Sequence, residues 1–377
     1  MRRIASHFAL LPDGLLPRPV VTVADDGRIT EVGQYGESGP DSMPGTEFRS
    51  GVLMPAAVNA HCHLELSFLK GAIPRGCGFA GFASAMAAVR GQFTYAQRLE
   101  AMEAADREMF DEGTGAAGDI SNDDTSFAVK RRSPITYRTF AEVFGIDNPS
   151  CEAARALLSE PATSLTPHSL YSLNDDVLRR TAAEAEGTLS IHFMESPAEE
   201  ELFRGRGPLL EWFRKARFRY DFLHYDSPAE RLAACIPAGK RLLLVHCTCV
   251  RQEDIDLIMN HFRAGVSWCL CPRSNDYISG AAPDVGLLRR NNLHICIGTD
   301  SLASNDSLSL AAEIRRFAGL PAAEVLQWAT RNGAEALGLN DGTGRLEAGN
   351  RCGLVAAQGI DLREMTVTDR FEMHRIV

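Results

Sequence analysis

The sequence predicts an α/β protein: a (β/α)8 TIM barrel accompanied by a small β-structure drawn from both ends of the chain. Three observations predict it. Between residues 52 and 337, eight short apolar runs alternate with helical stretches, the pattern of buried parallel strands joined by crossover helices. Both chain ends show short alternating runs broken by glycine turns. Chemically capable side chains sit at the C-terminal ends of several of the eight runs, the face on which barrel enzymes place their chemistry.

The elements follow in order. At the start, Val20-Val21-Thr22-Val23 runs into the turn Asp25-Asp26-Gly27 and then Arg28–Gly33. At the end, Gly342–Leu346 leads through Gly349 to Gly353–Ala357. The eight barrel strands are read as Val52–Asn59, Gly115–Asp119, Ile135–Phe140, Ser164–Pro167, Leu189–His192, Leu242–His246, Val266–Cys271 and His294–Thr299. Helical periodicity marks Tyr95–Glu112, Cys151–Leu158, Asp175–Glu186, Glu253–Arg263, Ser307–Phe317 and Ala322–Leu337. The expected division is a terminal domain of residues 1–54 and 343–377 around a catalytic barrel of residues 55–342.

Composition narrows the function. The 377 residues are 45% hydrophobic and 23% charged, so a large core is affordable and wholesale disorder is excluded. Lys and Arg number 39 against 49 Asp and Glu, a net charge of -10 that argues against binding a nucleic-acid backbone. Only Lys70, Lys130, Lys215 and Lys240 are lysines. No run approaches a membrane span. The apolar stretch after Met1-Arg2-Arg3 is broken by His7 and Pro12-Asp13-Gly14, too short for a signal peptide. Ten scattered cysteines with no C-x-x-C suit a reduced, cytoplasmic protein. Cys247/Cys249 and Cys269/Cys271 form C-x-C pairs whose spacing could bind a soft metal on a strand; buried small hydrophobes are the preferred reading.

Strand one runs into Asn59-Ala60-His61-Cys62-His63, strand four into Thr166-Pro167-His168-Ser169, and strand five ends in His192 with Glu195 three residues on. Strand six ends in His246 and strand eight in Thr299-Asp300-Ser301. A single strand-end histidine is commonly structural, but His61 and His63 share one side of a strand and can reach one ion. His7, His224, His261, His294 and His374 fall elsewhere and read as surface or packing residues. No H-E-x-x-H or Walker A motif occurs, and His63-Leu64-Glu65 lacks the P-C-x-x-C partner of a cytidine-deaminase zinc site.

The segments Pro55–Ser67 (PAAVNAHCHLELS), Thr166–Asn174 (TPHSLYSLN), Ile191–Ser196 (IHFMES), Val245–Cys247, Cys271–Asn275 (CPRSN) and Gly298–Asn305 (GTDSLASN) together resemble the amidohydrolase superfamily. The likeness is to its cytosine, guanine and S-adenosylhomocysteine deaminase and chlorohydrolase branch. The H-x-H-x-E form is similar to that of aminodeoxyfutalosine deaminases. Asp26–Ile29 and Gly344–Gly353 resemble the family's composite β-sandwich, so the likeness spans nearly the whole chain.

The resemblance implies one divalent metal, Zn2+ first and Fe2+ nearly as suitable, held by His61, His63, His192 and Asp300. It implies that the metal activates a water to attack the amino-bearing carbon of a heterocycle or nucleoside, releasing ammonia. His246 would orient that water, Asp300 take its proton, and Glu195 protonate the substrate ring nitrogen and then shuttle protons. Glu195 could otherwise be a helix-start carboxylate before Ser196-Pro197; its spacing from His192 favours catalysis. Fourth-strand lysine, the bridge of binuclear relatives, is missing, which favours one metal. His168 is expected to contact substrate. Glu65 could accept from an exocyclic amine or ribose hydroxyl, or instead cap a helix or pair with Lys70 or Arg75. Glu142, Arg273 and Asn275 could line the pocket, although Arg273 also reads as a surface ion-pair residue. Ser301, Ser304 and Asn305 read as shaping the strand-eight loop. Two other functions share these residues: a chlorohydrolase or N-alkylamine hydrolase of triazine-like rings, and a barrel that binds without catalysis. A small-molecule substrate, no membrane or nucleic-acid partner and a homodimer complete the expectation.

Overall fold

The structure, a computed structural model, describes residues 1–40 and 43–377; positions 41 and 42 of the expected terminal domain lie outside them. The strands are β1 (Arg2–Leu11), β2 (Gly14–Pro17), β3 (Pro19–Val23), β4 (Ile29–Gln34), β5 (Thr46–Met54), β6 (Ala57–Cys62), β7 (Thr114–Ser121), β8 (Thr136–Val143), β9 (Thr163–Pro167), β10 (Thr188–Phe193), β11 (Arg241–His246), β12 (Val266–Leu270), β13 (His294–Ile297), β14 (Val355–Asp361) and β15 (Thr366–Arg375).

Both chain ends enter one seven-stranded sheet of order β15-β14-β5-β1-β3-β4, with β2 on β1. The two termini join where β14 pairs antiparallel with β5, Val355 opposite Met54. Here the structure corrects the expected first barrel strand. Val52–Met54 belong to β5, paired parallel to β1 with Phe8 opposite Val52, and β6 begins only at Ala57. Pro55 has no N–H to donate, so the ladder ends there and a new strand starts beyond it.

The other eight strands form two four-stranded parallel sheets, β6-β7-β8-β9 and β10-β11-β12-β13. The sheets meet at two seams. Ser169 bridges His192 at one, where the His192 N–H donates to His168 O at 2.9 Å. Cys62 bridges Asp300 at the other, where the Thr299 and Asp300 N–H groups donate to His61 O at 2.9 and 3.1 Å. Alternate positions of both sheets, among them Val58, Ile120, Phe140, Leu243, Val245 and Cys269, enter one shared buried cluster. Their neighbours, including Leu242, Leu244, Trp268 and Ile295, pack with the helices in a second, larger core. Near-continuous apolar runs are what strands buried on both faces require.

The helices start and stop for local reasons. Tyr95–Asp111 opens on a reciprocal cap, with Thr94 Oγ1 accepting from the Gln97 N–H and Gln97 Oε1 from the Thr94 N–H. The stretch expected as one helix over 322–337 is two, Ala322–Trp328 and Arg331–Leu337. The expected helix Ser307–Phe317 is only Leu310–Ile314 followed by a 3-10 turn. A helix that periodicity did not mark, Gly78–Val89, carries no charged residue and no buried residue, and lies half-exposed between Pro208–Ala216 and Pro272–Ile278. No helix among the described residues is long and apolar enough to cross a membrane.

Candidate active site

Strand ends from both parallel sheets deliver five chemical groups to one point. His61 lies inside β6 and His63 just past it; His192 is in β10, His246 ends β11, and Asp300 follows β13. His63 Nε2 stands 3.2 Å from His61 Nε2, 3.3 Å from His192 Nε2 and 3.3 Å from Asp300 Oδ1. Asp300 Oδ1 is 3.6 Å from His61 Nε2. Ligands about 2.0–2.1 Å from a tetrahedral zinc ion stand roughly 3.3–3.4 Å from one another, so the donor spacing fits such an ion. Ligand atoms of His61, His192, His246 and Asp300 also lie within 4.8 Å of one another.

The close approach has visible causes. Gly298 lies where a Cβ would meet His61 O at 2.8 Å and both His61 Cβ and Cys269 Sγ at 2.9 Å. His246 and Asp300 take left-handed φ values of 78° and 57°, an unusual backbone that turns both side chains inward. Asn59 stitches the seam: its Nδ2 donates to Thr299 Oγ1 at 2.8 Å and its Oδ1 accepts the Thr299 N–H at 3.2 Å.

The protonation states suit a metal. Burial lowers the basicity of His61, takes His63 down to about 3 and His192 well below the usual imidazole range, so their ring nitrogens offer lone pairs. Burial would raise the Asp300 carboxyl, but the hydrogen bond with His61 and the neighbouring histidines hold it well below the ordinary range. His192 Nδ1 donates to His168 O at 3.0 Å, which leaves Nε2 free to ligate. His246 Nδ1 donates to Asn275 Oδ1 at 2.8 Å, leaving a buried Nε2 with no partner, 3.8 Å from Glu195 Oε1. Burial raises the Glu195 carboxyl.

A second group, Glu142, His168 and His192, also gathers ligand atoms. The His192 atom on that side is the Nδ1 already donating to a carbonyl, and Glu142 Oε1 lies 3.6 Å from it. An ion there would require that donation to be given up. Lys130 pairs with Asp119 and donates to Ser121 and Thr139, away from the cluster.

The sequence-assigned substrate residues divide. His168 and Glu142 stand beside the cluster, His168 stacked on His192 with ring centroids 4.6 Å apart. Asn275 faces His246 instead. Arg273 turns away: its N–H donates to Glu313, and its guanidinium to Ser307 and Asp306. Glu65 accepts from Arg90 and from the N–H groups of Asn122 and Asp123; Arg75 pairs with Asp306, so the pairing with Lys70 or Arg75 is not the one formed. Burial and Asp123, opposed by Arg90, push the Glu65 carboxyl up to about 7. Cys247, Cys269 and Cys271 are buried neutral thiols, and neither metal-capable group among the described residues includes a cysteine.

Sequence reasoning missed Ser274, whose hydroxyl donates to Asp300 Oδ2 together with that of Ser304 at 2.5 and 2.6 Å. It also missed Asn122, which donates to Glu142 Oε2 at 2.9 Å, and Glu199, whose Oε2 accepts the Glu195 N–H at 3.2 Å. Ser274 was legible in principle, since it lies inside the CPRSN segment.

Fold and site define a class, and comparison names it. The chain belongs to the amidohydrolase family, whose model matches residues 52–371. It is similar to an adenosine deaminase of Helicobacter pylori, 30% identical over 88% of this chain and 85% of the relative. It is 26% identical to a 5'-deoxyadenosine deaminase of Methanosarcina mazei, over 93% of this chain and 82% of that one. Among solved structures it is similar to Helicobacter pylori aminofutalosine deaminase in complex with methylthio-coformycin, with a TM-score of 0.80, 26% identity, and coverage of 97% and 94%. Atrazine chlorohydrolase from Arthrobacter aurescens, 18% identical with a TM-score of 0.73 over 94% and 86%, shares the fold.

Proposed function

We propose that the protein is a metal-dependent hydrolytic deaminase of an adenosine-like nucleoside, replacing an amino group on the heterocycle by oxygen from water and releasing ammonia. The observation that carries this reading is the close approach of the donor atoms of His61, His63, His192 and Asp300 beside Glu195, whose carboxyl burial raises. Those four residues would hold one divalent ion, Zn2+ first and Fe2+ as second choice. When bound, the ion supplies Lewis acidity that lowers the pKa of a water to about 7.

The chain's own groups do the rest. Glu195, whose carboxyl burial raises, is placed to give a proton to the ring nitrogen next to the carbon under attack. That nitrogen becomes N–H and the carbon gains the oxygen of a water, whose two protons go one to the amino group, released as ammonia when its C–N bond breaks, and one back to Glu195. His246 directs its free Nε2 to the reacting oxygen. Ser274 and Ser304 fix Asp300 Oδ2, so that Oδ1 points to the donor cluster. His168 and Glu142 take the substrate's ring or ribose donors. The likeness of the whole chain to adenosine, 5'-deoxyadenosine and aminofutalosine deaminases supports the nucleoside class over triazines, whose hydrolase shares only the fold.

On the same reading the two parallel sheets close through their seams into the (β/α)8 barrel over residues 55–342. Residues 1–54 and 343–377 form the companion domain, a β-sandwich. Ten free thiols fit a reducing, cytoplasmic setting. The test is ammonia release by the Zn2+-loaded protein from adenosine, 5'-deoxyadenosine, methylthioadenosine and aminofutalosine. Turnover of at least one supports the reading; inactivity on all four with full metal overturns it.

A further inference from the structure

We infer that Glu65 is a positioning residue for substrate, acting through Asn122 on the carboxylate of Glu142; this rests on the deaminase reading above. Glu65 lies two residues past His63, in the short 3-10 helix Leu64–Leu69, and is fully buried. It does not reach the metal-capable cluster. Its Oε2 accepts the Asn122 N–H at 2.8 Å and the Asp123 N–H at 3.3 Å, and its Oε1 accepts from the Arg90 guanidinium at 3.1 Å. One carboxylate thereby joins three separate pieces of chain: the turn after His63, the loop after β7, and the end of the helical segment that starts at Gly78.

Asn122 carries the effect onward. Arg90 Nη1 approaches Asn122 Oδ1 at 3.5 Å, which turns the amide so that Nδ2 donates to Glu142 Oε2 at 2.9 Å. That bond fixes Glu142 in one rotation. Its other oxygen, Oε1, is then a buried acceptor with no partner, 3.6 Å from His192 Nδ1 and beside His168. A buried acceptor beside the donor cluster calls for an N–H or O–H donor, which a substrate would bring. Glu65 stands outside both metal-capable groups, yet it sets the backbone from which Asn122 aims Glu142. Arg90 and both loop N–H groups donate to Glu65, so an amide at position 65 would point a donor at either Arg90 or the loop N–H groups.

The experiment is a double-mutant cycle on the Zn2+-loaded enzyme, with the best nucleoside found by ammonia release. Glu65→Gln should raise KM about tenfold, change kcat less than about threefold, and keep one metal per chain. Glu142→Gln should raise KM at least as much. The double variant should be no worse in KM than Glu142→Gln alone, because one contact is lost by either route. Asn122→Ala, in a half-buried loop, should reproduce the KM of Glu65→Gln and guards against a folding defect at the fully buried site. Multiplying KM effects in the double variant, or an unchanged KM in Asn122→Ala, overturns the positioning role while leaving the deaminase reading intact. A wild type inactive on every nucleoside overturns the deaminase reading, and this inference with it.

Discussion

At the scale of single residues, the donor cluster makes two substitutions diagnostic. Asp300 offers Oδ1 to the cluster and Oδ2 to two serine hydroxyls. Asp300→Asn replaces one oxygen by a donor nitrogen, so turnover should vanish and metal content fall well below one per chain, read by metal analysis of the purified variant. Glu195 is separate from the ligands, near His246 Nε2. Glu195→Gln should therefore lower kcat by at least about 100-fold, the usual size of a lost general acid, while keeping the metal. Loss of metal in that variant would mean that Glu195 is a ligand. The convergence of the histidines and Asp300 was legible because strand-end positions bring side chains of that type to one point. Glu65 and Arg273 were not, because a charged residue's partner depends on which loop lies opposite. Arg90 is 25 positions from Glu65, and nothing in local spacing connects them.

At the scale of elements, the turn after β10 and the end of β13 show how backbone holds the site. Glu199, on the helix Pro197–Phe203, is buried and accepts the Glu195 N–H. Burial pushes its carboxyl up to about 8, above the ordinary 4.5. The folded state therefore binds a proton that the unfolded chain has released between those two values. Its contribution is complete below the unfolded pKa and is lost as pH rises towards 8. The wild type should lose Tm between about pH 4.5 and 8, and Glu199→Gln should flatten that decline; equal slopes in both would rule Glu199 out as the cause. Gly298 acts by closeness. Gly298→Ala forces a methyl against His61 and Cys269, an overpacking that typically costs about 1–3 kcal/mol. Its Tm should fall and its zinc affinity weaken together. Strand existence was legible from apolar runs, but the β5/β6 boundary was not, since Val52–Asn59 is equally apolar on both sides of Pro55. The helix Gly78–Val89 escaped notice because small and apolar residues lie all round it and leave no periodic face.

At the scale of the whole molecule, the metal-capable residues come from both parallel sheets. His61 and His63 belong to the first sheet's edge, and His192 and Asp300 to the second. Between the sheets the backbone ladder is thin, one isolated bridge at each seam, with side chains such as Asn59 adding their own bonds. Ligands that converge on one ion from both sides would cross-link the halves at the seams, where the backbone alone ties them least. The sequence carried the alternation that implies such halves, while the seams themselves depend on tertiary register that no local pattern records. Ion binding to the folded state alone stabilises it by RT ln(1 + [L]/Kd), about 4.1 kcal/mol at a thousandfold excess over Kd. Chelated protein should therefore melt several degrees lower than the zinc form and recover with one equivalent of zinc. The loss should also be local. Amide hydrogen exchange should rise first at His192, Thr299 and Asp300, whose N–H groups form the seam bonds, and hardly at all in β1, β3 and β14 of the terminal sheet. Uniform exchange throughout the chain, or unchanged exchange at the seams, would show that the ion does not join the two sheets.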